Sequence, residues 1–86
     1  MLGCAITNAG REAYVPSSIE YNPTTKFDRI YNKFLGWLSK SEKPVAEGDV
    51  YQGIRHLGQE MGIPIDIKYS KSVVNLALEA RHIKFI

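Results

Sequence analysis

The clearest pattern in the chain is a helical stripe of apolar residues between Lys26 and Lys40. Large apolar side chains recur there at intervals of three and four residues, which places them on one face of an α-helix. Polar side chains fall on the opposite face, so the helix is predicted to pack against a core along one side. The stripe consists of Phe27, Ile30, Tyr31, Phe34, Leu35 and Leu38.

A second helix is predicted after Pro44, because the residue before a proline avoids the α region and proline donates no helix hydrogen bond. Its apolar residues have the same spacing, and Gly62 is a natural C-terminal stop. Glycines inside the pattern each lower the helix propensity by about 1 kcal/mol relative to alanine, so we expect packing to hold this helix. The stripe is Val50, Tyr51, Ile54, Leu57 and Met61, and the glycines are Gly48, Gly53 and Gly58.

The last third of the chain is predicted to contain a strand, a third helix and a closing strand. Residues Ile63–Tyr69 alternate apolar and polar positions, which is typical of a half-buried strand. Ser70 or Ser72 is the predicted cap of a helix that runs to about Ala80. His82–Ile86 is predicted to be a short final strand. The inward face of the third helix is predicted to consist of Val73, Val74, Ala77 and Leu78.

Two structures compete for the first segment. Asn8 and Gly10 are turn formers between two short apolar stretches, which favours a β-hairpin. Alternatively, Thr7 caps a short helix over Ala9–Val15 that stops before Pro16. The hairpin is slightly preferred on the residues alone, and the helix stays open as the alternative.

These elements predict an α+β fold in one small domain that spans residues 1–86. Residues 1–22 would form an N-terminal extended segment or hairpin, and residues 23–86 a helical core with strands. The order is hairpin, two helices, strand, third helix and closing strand. A chain of 86 residues is short for two domains. Its hydrophobic share of 44% and charged share of 23% are typical of a globular protein.

The charge and the single cysteine bear on compartment and partners. The formal net charge is +2, which permits contact with nucleic acid without requiring it. Positive charge is concentrated in residues 23–43 and 64–86, whereas residues 44–63 are net negative. One cysteine forms no intramolecular disulfide, so a reducing compartment and the cytoplasm are expected. No stretch is long and apolar enough for a membrane span, so no membrane partner is expected.

Catalytic chemistry has little support in the sequence. The two histidines, His56 and His82, lack the local partners that specify a nucleophilic triad. His56 and Glu60 are one helical turn apart and are expected to form a surface pair, which is too few ligands for a metal site. Cys4 is expected to be a buried structural thiol. We therefore expect a non-enzymatic protein that holds no metal and no cofactor.

Several short segments together carry a family resemblance. They are Leu35–Leu38, Lys43–Val50, Ser72–Val74 with Leu78, and Lys84–Ile86. This set, over roughly residues 26 to 86, resembles the winged helix-turn-helix DNA-binding domains. The resemblance implies that the segment from Lys43 opens the second helix and that Ser72 and Val73 open the recognition helix. The strand that follows would begin the wing.

The predicted function is a small DNA-binding regulator whose third helix enters the major groove of double-stranded DNA. Basic side chains would contact phosphates, and Asn75 would contact a base edge. The candidate DNA-binding residues are Lys68, Lys71, Ser72, Asn75, Arg81 and Lys84.

Two alternatives stay open. The basic residues of the third helix are equally compatible with a merely solvated face, because lysines are usually surface residues. The other functional hypothesis is an adaptor or inhibitor that binds another protein through the region of Trp37 and Tyr51 or through an exposed strand edge. A homodimer is compatible with both functional hypotheses.

Overall fold

The computed structural model describes residues 3–15 and 25–86, and it contains four helices and a two-stranded sheet within these ranges. Of the N-terminal segment predicted over residues 1–22, residues 1–2 and 16–22 lie outside the described residues. In chain order the elements are β1 (Cys4–Ile6), α1 (Asn8–Ala13), α2 (Lys26–Ser39), α3 (Glu47–Glu60), α4 (Ile67–Glu79) and β2 (Ile83–Phe85).

Helix α2 confirms the strongest sequence prediction. The hydroxyl of Thr25 accepts a hydrogen bond from the backbone N–H of Asp28 at 3.0 Å, which satisfies one of the free donors of the first turn. The apolar stripe faces the core: Ile30 and Phe34 are fully buried, and Leu35 and Leu38 nearly so. This helix forms the centre of the domain and contacts α1, α3 and β1.

Helix α3 also lies where it was predicted. It begins at Glu47, and Glu47 and Asp49 place negative charge in its first turn, where the helix dipole favours it. It ends at Glu60, and Gly62 adopts φ +72°. In that left-handed conformation the N–H of Ile63 reaches back to the carbonyl of Gly58 at 2.8 Å. The predicted stop at Gly62 is therefore confirmed.

The predicted strand over Ile63–Tyr69 is wrong. Residues 63–65 form a connection, and α4 begins at Ile67 because the carboxylate of Asp66 accepts the N–H of Tyr69 at 2.8 Å. The predicted caps at Ser70 and Ser72 are also wrong, since both serines lie inside α4. Their hydroxyls donate to carbonyls four residues earlier, Ser70 to Asp66 and Ser72 to Lys68.

The N-terminal hairpin is wrong, and the alternative of a helix capped by Thr7 is confirmed, although the helix ends at Ala13 and not at Val15. The hydroxyl of Thr7 accepts the N–H of Gly10 at 3.1 Å, and this capped turn starts α1 at Asn8. Strand β1 therefore has no neighbouring partner in sequence. It pairs antiparallel with β2 at the far end of the chain, with Ala5 opposite Lys84 and Ile6 opposite Ile83. The predicted closing strand is confirmed as β2.

All these elements share one core, so the described residues form a single compact domain with a radius of gyration of 11.9 Å. Helices α2, α3 and α4 supply most of its buried side chains, and the inner face of the sheet closes one side. The buried hydrophobic residues are Cys4, Ile30, Phe34, Leu35, Leu38, Val50, Ile54, Val73, Val74, Ala77 and Ile83.

Two glycines of α3 give a matched stability test. A Cβ atom at Gly53 would lie 2.5 Å from the ring of Trp37, whereas a Cβ atom at Gly48 meets nothing within 4 Å. We expect overpacking in Gly53→Ala to cost about 1–3 kcal/mol, which outweighs the gain of up to about 1 kcal/mol in helix propensity and lowers the free energy of unfolding. Gly48→Ala should raise it by up to about 1 kcal/mol. Urea unfolding followed by circular dichroism measures both, and equal effects would contradict the close contact.

Candidate nucleic-acid interface

The candidate interface is the outward stripe of α4, a row of exposed side chains on the helix face opposite the core. Ser70, Val73, Val74 and Ala77 are buried on the inner side. The residues on the opposite side of α4 also recur at intervals of three and four, and their side chains therefore point into solvent. The outward stripe consists of Lys68, Lys71, Ser72, Asn75, Leu76 and Glu79, all exposed.

Contacts at its first turns fix the position of α4. Asp66 caps the helix through the N–H of Tyr69, and the ring of Tyr69 lies 5.7 Å from the ring of Phe27 on α2. Burial raises the pKa of Tyr69, and the charge of Asp28 adds to the shift. The hydroxyl of Ser70 is satisfied inside the helix. The outward stripe therefore stands on a helix that is attached to α2 at its N-terminal end.

The lysines of the outward stripe have no ion-pair partner among the described residues. There, the single contact within 4 Å between an acidic and a basic side chain is that of Glu60 with His56, at 3.0 Å. From residue 64 to the end of the chain, four basic residues stand against two acidic ones. In helix α3, by contrast, acidic residues outnumber basic ones. The positive charge of Lys68 and Lys71 is thus available to an external anion.

The six predicted site residues do not all share one element. Lys68, Lys71, Ser72 and Asn75 come together on the outward stripe, as the helical register predicts. Arg81 lies in the turn after α4 with φ 61°, and Lys84 lies on β2 opposite Ala5. Both are exposed. The side chains of Leu76 and Glu79 were missed by sequence reasoning, although their spacing from Ser72 places them on the same face.

A tyrosine–histidine contact holds the turn after α4 to α2. The hydroxyl of Tyr31 lies 2.6 Å from Nδ1 of His82, and burial raises the pKa of Tyr31 to about 12. The two residues are 51 positions apart, so no local sequence signal connects them. The contact links α2 to the turn that follows α4, and its role is positional.

The residues considered for catalysis are not assembled into a reactive site. Cys4 is fully buried, and burial raises the pKa of its thiol to about 11. His56 and Glu60 form the expected exposed pair. In residues 3–15 and 25–86, no three histidine, cysteine or acidic side chains lie close enough together to hold a metal ion. An open groove of about 600 Å³ runs between α3 and the connection that follows, lined in part by Arg55 and Pro64.

The aromatic residues of the protein-binding hypothesis have contacts within the domain. Trp37 is half-buried, packs on Gly53, and its ring lies 6.3 Å from that of Phe34. The hydroxyl of Tyr51 donates to Glu47 at 3.0 Å. Its pKa is raised, first by burial and then by that carboxylate. Both side chains therefore stabilise the packing of α3.

Two further findings concern the chain as a whole. Among the described helices, none has the length and apolar character that crossing a membrane requires. Comparisons with protein-family models, with curated proteins and with solved structures found no match for this chain.

Proposed function

We propose that the protein is a non-enzymatic regulator that binds double-stranded DNA, with the outward stripe of α4 placed in the major groove. The observation that carries the proposal is the composition of that stripe. Lys68 and Lys71 stand beside the hydroxyl of Ser72 and the amide of Asn75, and all four side chains are exposed on one helix face. Phosphate oxygens accept from lysine and serine, and base edges pair with amides.

The dimensions of α4 suit this role. Thirteen residues give a helix about 20 Å long, and the major groove of B-DNA, at about 12 Å wide, admits such a helix. The amide of Asn75 matches the paired donor and acceptor of adenine. Leu76, 43% exposed, offers an apolar contact for a thymine methyl group. Lys68 and Lys71 would contact backbone phosphates.

Helix α4 packs on α3 and exposes its outward stripe, but the six-residue connection between them, residues 61–66, is longer than the helix-turn-helix turn of about three or four residues. Membership of the winged helix-turn-helix family stays a prediction, because β2 pairs with β1 and no hairpin follows α4 within the described residues. Phosphate contacts by Arg81 and Lys84 stay predictions as well.

The first test is the salt dependence of binding to a duplex of about 20 base pairs, measured by fluorescence anisotropy. If about four phosphates are neutralised, the affinity should fall roughly 100-fold between 50 and 200 mM salt. We expect the double variant Lys68→Gln/Lys71→Gln to bind more weakly and to lower the salt slope by about two. The control Lys40→Gln/Lys43→Gln removes the same charge elsewhere and should leave the slope unchanged.

The outcomes separate the hypotheses. An equal loss in both double variants would show that net charge alone attracts DNA, which contradicts a role for α4. No binding of the unmodified protein at 50 mM salt would overturn the proposed function. On a duplex whose sequence has been selected for tight binding, Asn75→Ala should relax the preference at one base pair by about 1–3 kcal/mol. The salt slope should not change.

A further inference from the structure

Strand β2 has a free hydrogen-bonding edge. Gly3 and Ile86 exchange backbone bonds, with the N–H of Ile86 donating to Gly3 at 2.8 Å, and this pair fixes the phase of the ladder. Every second residue of β2 therefore directs its backbone N–H and C=O groups toward β1. The backbone N–H and C=O groups of Ile83 and Phe85 point to the other side, and within residues 3–15 and 25–86 none of them has a backbone partner.

The opposite edge of the sheet is occupied at Cys4. Cys4 and Val45 exchange two backbone hydrogen bonds, at 2.7 and 2.9 Å, on the side of β1 that faces away from β2. In the part of the chain that the structure describes, β2 is therefore open along its whole outer edge, whereas the outer edge of β1 is closed at Cys4. An extended segment that paired there would add a third strand.

Side chains around this edge define what such a segment should carry. Ile83 is buried and Phe85 half-buried on the inner face, whereas Lys84 is exposed on the outer face. Ile86, 47% exposed, follows on that outer face two residues later. No described carboxylate lies within 4 Å of Lys84. In an added antiparallel strand, the side chain directly opposite Lys84 would lie about 5 Å away, measured between Cβ atoms.

We propose that the free edge of β2 binds an extended segment of a partner protein that places an aspartate or glutamate opposite Lys84. Charge complementarity selects this occupant. A second copy of the chain fits poorly, because the antiparallel register that uses all four free backbone groups sets Lys84 against the same lysine of the other copy. Like charges directly opposite each other destabilise a strand pair, and lysine is a common guard against such self-pairing.

This inference goes beyond the proposed DNA binding and stands mainly on different groups. DNA binding rests on the outward stripe of α4, whereas strand addition rests on the backbone of Ile83 and Phe85 and on Lys84, the one residue that the predicted phosphate contacts share. A failure of either proposal leaves the other in place.

The test is a titration of the isotope-labelled full chain with three blocked seven-residue peptides, followed by NMR. The first peptide alternates threonine and valine around a central glutamate. The second has a central lysine, and the third repeats the first with N-methyl groups on the two residues that flank the centre. We expect the glutamate peptide to shift the amides of Ile83 and Phe85 and to slow their hydrogen exchange. N-methylation should weaken binding at least tenfold, because it removes the backbone donors.

A charge exchange makes the test specific. In Lys84→Glu the preference should reverse, with the lysine peptide binding about two- to fivefold better than the glutamate peptide. Lys71→Glu carries the same charge change on α4 and should keep the original preference. Shifts that leave Ile83 and Phe85 unaffected, equal binding of the N-methylated peptide, or no reversal in Lys84→Glu would each overturn the proposal.

Other occupants give distinct results. Sedimentation that shows a concentration-dependent dimer, with the same two amides shifted, would assign the edge to a second copy and overturn the proposal. If duplex DNA shifts these two amides and the peptides do not, the edge of β2 binds nucleic acid, and the proposal is likewise overturned.

Discussion

Phe34→Ala is expected to lower the free energy of unfolding by about 3–5 kcal/mol. Phe34 is fully buried at the centre of α2, so removing its ring loses the transfer free energy of an aromatic side chain and leaves a cavity in a packed core. A domain of this size has a total stability of roughly 4–13 kcal/mol. The substitution should therefore remove a large part of it, measured by urea unfolding with circular dichroism.

The neighbouring residue supplies the control for this prediction. Lys33 is exposed on the other face of α2, so Lys33→Ala should change the stability by less than about 0.5 kcal/mol. A loss below about 1 kcal/mol for Phe34→Ala in the folded protein would contradict a single core centred on α2. It would mean that the surrounding helices collapse into the space without difficulty.

Phe34 also shows why α2 and α3 were predictable from the sequence. Both helices bury one face, and a buried face forces the apolar spacing of three and four that the sequence displays. Gly62 stopped α3 as predicted because few other residues adopt its left-handed conformation at low cost. Packing holds both helices, but its signature lies in neighbouring positions of the sequence, so local reasoning recovered them.

The start of α4 was mispredicted because two local signals conflict. Ile63, Ile65 and Ile67 alternate with polar residues as in a strand, yet Asp66 caps a helix and ends that pattern. The side chain of Ile65 packs so closely against Gly58 that an added Cβ atom would overlap it. The alternation therefore reflects packing of a connection on α3, a tertiary contact that the sequence pattern does not distinguish from a sheet.

The residues of the candidate interface were likewise predictable from the sequence only in part. Lys68, Lys71, Ser72 and Asn75 could be placed on one face because the buried positions of α4 fix the helical register. The position of Lys84 depends on β2 pairing with β1, and its partner Ala5 is 79 positions away in the chain. Pairing over such a distance leaves no periodic trace. The free edge of β2 became visible from the ladder of hydrogen bonds alone.

Cys4 is expected to react with a thiol reagent at pH 8 at least 100-fold more slowly in the folded protein than in the unfolded chain. The thiol is fully buried on β1, and burial raises its pKa from 9.0 to about 11, which lowers the thiolate population about 100-fold. An exposed cysteine gives the reference: Cys4→Ala/Ser72→Cys should react about as fast folded as unfolded. Folded-state reaction of Cys4 within tenfold of that reference would contradict the prediction.

The raised pKa of Cys4 also sets the sign of a pH effect on stability. Between pH 9 and about 11 the folded protein keeps the thiol proton, whereas the unfolded chain loses it. Stability therefore falls as pH rises through this range, by about 2 to 3 kcal/mol for this group. Urea unfolding across the range should show a steeper decline in the unmodified protein than in Cys4→Ala, because the tyrosines titrate in both. Parallel declines would show that the thiol does not contribute.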